Sequence, residues 1–148
     1  MTRPGAGLVA AMVGLSLLAA CGRKDDPRPP EDVAPVAVAE LTATNIVEGV
    51  RLSWERPRHY AGGGKLTDLG YFEVWRLDPG QPRQAQRIAT IRVDDRQRFQ
   101  QAKRFSHVDN DTVPGNLYQY YVVVFTADGY DSTPSNIATI TRTEVSRH

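Results

Sequence analysis

Along residues 49–55, GVRLSWE, apolar Val50, Leu52 and Trp54 alternate with polar Arg51, Ser53 and Glu55. Strand side chains point to alternate faces, so this pattern predicts a strand with one buried side. Further short runs of strand-forming residues occur at 36–44 (VAVAELTAT), 71–77 (YFEVWRL), 87–93 (RIATIRV), 104–109 (RFSHVD), 117–127 (LYQYYVVVFTA) and 136–143 (NIATITRT). Turn chemistry separates them. Residues 45–48 suit a hairpin, Pro57 lacks an N–H for a ladder, and HYAGGGKLTD reads as a flexible loop. DPGQP, a charged crossing loop at 94–104, VPGN and DGYDSTPS divide the rest. No stretch keeps apolar residues at helical spacing for long. Seven short strands with turns between them predict an all-β sandwich.

The first twenty residues follow another pattern. Arg3 is their only charged side chain, and residues 8–20 are Leu, Val, Ala, Met and Gly with a single Ser. A positive start followed by a short apolar run is the layout of a secretory signal peptide. Thirteen residues at helical rise reach about 20 Å, short of the roughly 30 Å hydrocarbon core. The run stops at Leu18-Ala19-Ala20-Cys21. This stretch resembles the lipobox of bacterial lipoproteins, which implies cleavage before Cys21. In that family the cysteine thiol carries a diacylglyceryl group and its freed amine is acylated. Several acyl chains anchor stably where one does not. The resemblance therefore implies a partnership between Cys21 and a lipid bilayer, in the cell envelope of a bacterium. Gly22 stands where an Asp would favour inner-membrane retention, so the expectation leans to the outer membrane.

With one cysteine in the chain, no disulfide closes within it. Residues 21–35 carry four prolines among charged side chains and too few apolar groups to offset their ordering entropy. They are expected to form a disordered, extended tether. Removing residues 1–20 takes away Arg3 and no acid, so Lys plus Arg falls from 18 to 17 against 17 Asp plus Glu. A neutral chain lacks the basic excess that nucleic acid or a polybasic membrane contact requires. The expected organisation is a signal peptide at 1–20, the lipidated cysteine and tether at 21–35, one domain at 36–144 and a tail at 145–148.

Chemistry is sparse. His59, His107 and His148 have no neighbours at metal-ligand spacing, and the serines fit no nucleophile elbow. AGGGK lacks phosphate-loop spacing. DNDT at 109–112 and DGYD at 128–131 offer oxygens to a hard cation, although Asp and Asn more often cap turns. No catalytic residue, metal or cofactor is expected.

Within residues 36–143 the sequence resembles the fibronectin type III domain. Trp54 followed by Pro57 resembles the core tryptophan of its second strand. Phe72-Glu73-Val74-Trp75-Arg76 resembles the third strand. Val113-Pro114-Gly115-Asn116-Leu117-Tyr118 resembles the turn into the sixth, with Tyr118 at the tyrosine corner. Gly129, Ser132, Pro134 and Ser135 resemble the turn into the last strand. The resemblance implies a seven-stranded immunoglobulin-like β-sandwich that serves for binding or spacing and has no catalytic residues.

If Phe72, Val74, Tyr118, Tyr120, Val122 and Val124 point inward, alternation sends Tyr71, Trp75, Tyr121, Val123 and Phe125 outward. On neighbouring strands these five form an apolar face where polar residues are the norm. The sequence therefore points to a membrane-anchored binding module, not an enzyme, for a protein or envelope polymer. A structural spacer and a glycan-binding module using the exposed aromatics are the alternatives.

Overall fold

The computed structural model of the chain describes residues 26–78, 80, 83–94 and 104–147. Cys21, the apolar segment before it, most of the charged loop and His148 lie outside the described residues. Strands β1 (Thr42–Ile46), β2 (Gly49–Glu55), β3 (Leu69–Leu77), β4 (Ala85–Arg92), β5 (Arg104–Asp109), β6 (Leu117–Thr126) and β7 (Ala138–Thr141) form two antiparallel sheets. One has the order β1-β2-β5, the other β4-β3-β6-β7. The expected all-β sandwich is the observed fold.

Strand phase follows from which alternate residues can be buried. Val50, Leu52 and Trp54 of β2 face Phe72 and Val74 of β3 and Tyr120, Val122 and Val124 of β6, and all are fully buried. The Trp54 ring meets Phe72 edge-on at 5.4 Å, and Phe72 lies 4.7 Å from Phe105. Tyr118 accepts a hydrogen bond from the Val113 amide through its hydroxyl, at 2.9 Å. That bond pins the turn entering β6, as a tyrosine corner does. A bulge in β4 gives it one extra residue, so Ile88 and Ala89 both pack against the core before alternation resumes.

Four local expectations are corrected. The tether was expected to stay extended to residue 35, yet Pro30–Val33 forms a helical turn, α1. Proline suits a first helical position because its missing N–H needs no partner there. The loop at 59–68 accepts this segment: Ala61 and Gly62 donate to the Ala34 and Glu31 carbonyls, and Val36 donates to His59. That loop is itself a folded turn, with Tyr60 donating to Gly64 and the Tyr60 hydroxyl bonded to Asp68 at 2.6 Å. The first strand begins at Thr42 instead of Val36, because the backbone of Leu41 is held by the Asn136 side chain in a reciprocal pair.

The last strand is likewise shorter than the 136–143 expected. Pro134 cannot donate to a ladder, and Ser132 and Ser135 bridge the gap. Each accepts an amide proton of β6 on its hydroxyl and returns its own amide to the same strand.

Candidate functional site

The four-stranded sheet has one face in the core and one turned away from it. β3 and β6 run side by side with Tyr71 opposite Phe125, Glu73 opposite Val123 and Trp75 opposite Tyr121. Directly opposed residues share a face. All five side chains named from the sequence therefore lie on the outer face, each half-buried. Tyr71 and Phe125 stack at 4.5 Å with planes 5° apart, and Trp75 lies parallel to Tyr121 at 6.0 Å. Burial and then the nearby Glu73 carboxylate push the Tyr121 hydroxyl pKa up. The Trp75 indole N–H has no acceptor among the described residues.

The sequence reading missed the ion pair on this face. Glu73 sits between the two aromatic pairs and accepts a 2.6 Å ion-paired bond from Arg87 on β4. Alternation places Glu73 outward, but Arg87 is brought beside it only by the register after the bulge. The face also extends towards β7, where Leu117 and Ile137 expose about half their surface.

The inner side of the same strands carries a charge that composition did not reveal. Arg76 points between the sheets and pairs with Asp109 of β5 at 2.9 Å, while the Tyr120 hydroxyl donates to the same carboxylate at 2.9 Å. Asp78 also pairs with the Arg76 guanidinium, whose Nη1 donates to the Asp111 carbonyl at 3.0 Å. Burial alone would lower the pKa of Arg76, but Asp78 and Asp109 hold it above its ordinary value. Burial, with Asp109 adding to it, raises that of Tyr120. Asp109, one of the oxygens weighed for a cation, is thus occupied by protein donors.

Among the described residues no three His, Cys, Asp or Glu side chains converge as a metal site. His107 is half-buried, and burial lowers its pKa while Asp109 opposes the shift. A cleft where the N-terminal segment meets the domain is lined by residues including Arg28, Tyr60, Asp68, Tyr130 and Asp131. Within it the Tyr60 hydroxyl donates to the Asp68 carboxylate.

No family model matches this sequence, and no curated protein matches it. Solved structures do. The domain is similar to the third fibronectin III domain of the human KIAA0343 protein, with TM-score 0.54 and 12% identity over 84% of this chain and 95% of that one. A Fn3-like protein from Clostridium thermocellum gives TM-score 0.50 and 18% identity over 77% of this chain and 99% of that one. The kinase region of twitchin from C. elegans gives 0.53 and 17% over 78% of this chain. This chain spans 18% of the twitchin structure and 17% of a titin kinase structure with its flanking domains. Such identities carry the fold alone. The fold is fibronectin type III-like.

Proposed function

We propose that this chain is a lipid-anchored, non-enzymatic binding protein of a bacterial envelope, held in the outer membrane through Cys21. Its outer sheet face engages a protein or an envelope polymer. The observation that carries this reading is the continuous run of Tyr71, Phe125, Val123, Trp75 and Tyr121 on a sheet face where one solvated side should be polar. Tyr and Trp are the side chains most favoured as interface anchors. A protein partner fits better than a sugar, because sugar stacking needs open ring faces. Tyr71 and Phe125 already cover one face of each other.

Replacing both Trp75 and Tyr121 with serine should leave the melting transition of the chain in place to within a few degrees, since neither lies between the sheets. The same double variant should lose a protein that crosslinks to and copurifies with the wild type. Retention of every crosslinked neighbour by a folded variant would make the domain a spacer. The anchor is tested separately. Metabolic labelling with a fatty acid should mark the wild type and leave Cys21→Ser unlabelled, and equal labelling of both would remove the lipoprotein reading.

A further inference from the structure

At one end of the outer face a row of paired residues has opposite charges at its two ends. Arg92 pairs with Tyr71, Tyr71 with Phe125, and Phe125 with Asp131. All four share the face, because directly opposed residues do. Arg92 and Asp131 are exposed, and neither has an ion-pair partner among the described residues. The row therefore reads cation, aromatic, aromatic, anion.

We propose that a second copy of this chain docks on this face, with a two-fold axis in the interface running parallel to the strands. The inference rests on the reading of the outer face as an interaction surface. A half-turn about that axis exchanges left and right across the sheet and keeps position along the strands. Arg92 then meets the partner's Asp131, and Asp131 meets the partner's Arg92. In the same operation Tyr71 faces the partner's Phe125, and Trp75 the partner's Tyr121. Glu73 faces the partner's Val123 and stays neutralised by its own Arg87, so no unpaired charge is buried. The contact is isologous, as a two-fold dimer requires. An axis across the strands would instead set Arg92 against the far end of the partner's β4 and leave the charges unmatched.

The N-terminal segment makes the same choice of axis. Pro27 and Arg28 line the cleft with Tyr130 and Asp131, so the chain leaves the domain at the end that carries the charged row. An axis parallel to the strands brings both N-terminal segments out at one end. Two chains anchored in one membrane need that arrangement. Four strands of about eight residues present about 500 Å² of sheet, below the roughly 800 Å² per partner of a standard stable interface. The dimer is therefore weak in dilute solution and forms where anchoring raises the effective concentration.

The test uses the lipidated full chain in isolated membranes. Arg92→Lys keeps the charge and supplies an amine that a zero-length carbodiimide joins to a carboxylate. Within one chain positions 92 and 131 lie three strand spacings apart, about 14 Å, beyond the joint reach of a lysine and an aspartate. The expected result is a covalent dimer whose crosslinked peptide joins positions 92 and 131. R92K/D131N should lose that product at least tenfold. A chain that stays monomeric, or dimers joined only elsewhere, would overturn the proposal. If R92K stays monomeric yet still copurifies with a different protein that Trp75 and Tyr121 hold, self-association fails and the interaction surface stands. If no protein of any kind is held by that face, both fail.

Discussion

Trp54→Ala should lower the unfolding free energy by about 3–5 kcal/mol, the range for truncating a large buried aromatic. Trp54 is fully buried and touches both Phe72 of the opposite sheet and Phe105 of the neighbouring strand. Its loss opens a cavity between two sheets that no disulfide holds together. Against a total of about 5–15 kcal/mol for a domain, the variant should be partly unfolded at physiological temperature. Trp54→Phe should cost much less, because a ring still fills most of the site and the indole N–H has no hydrogen-bond partner among the described residues to lose. Chemical denaturation followed by circular dichroism checks both. An unchanged midpoint for Trp54→Ala would place Trp54 outside the core.

The second large effect is expected at Asp109. This carboxylate joins β5 of one sheet to Arg76 and Tyr120 of the other, and it also accepts the Asp111 amide. Asp109→Ala leaves the buried Arg76 guanidinium with partly exposed Asp78 and with Asp111, whose carboxylate is exposed and 3.7 Å away, and strips the Tyr120 hydroxyl of its acceptor. Breaking a buried ion pair in this way costs about 3 kcal/mol or more. Replacing the buried network together, as Arg76→Met with Asp109→Leu and Tyr120→Phe, should restore much of the loss, because no buried charge or hydroxyl between the sheets is then left without its partner. Denaturant midpoints of the wild type and both variants give the comparison. Equal destabilisation by the two would mean that the ion pair is not what holds this end of the sandwich.

The two pairs of residues also show what the sequence could and could not convey. Trp54 and Val74 were legible as core because alternation within one strand needs no knowledge of any other strand. A slip by one residue would turn every apolar group to solvent, so the phase is strongly determined. The outward placement of Tyr71, Trp75, Tyr121, Val123 and Phe125 follows from the same alternation. Arg76 is inward by that rule too, but its partner lies 33 residues away, and only the packing of the two sheets brings Asp109 to it. Arg87 reaches Glu73 through a bulge that local pattern does not mark, and Asp131 joins the face through a single bridge. The docked helical turn at Pro30–Val33 was hidden for another reason. Its composition is that of a disordered segment, and it is ordered by backbone bonds to a loop some thirty residues on.

That the outer face of the four-stranded sheet is where this domain touches another macromolecule is tested most directly by a photoreactive amino acid installed in cells. Position Val123, at the centre of that face, is compared with position Arg51, exposed on the outer face of the three-stranded sheet. Irradiation should yield a higher-mass adduct from position 123, whether a second copy or another protein, and none from position 51. Adducts of equal yield from both, or from position 51 alone, would contradict the assignment of the aromatic face as the interaction surface.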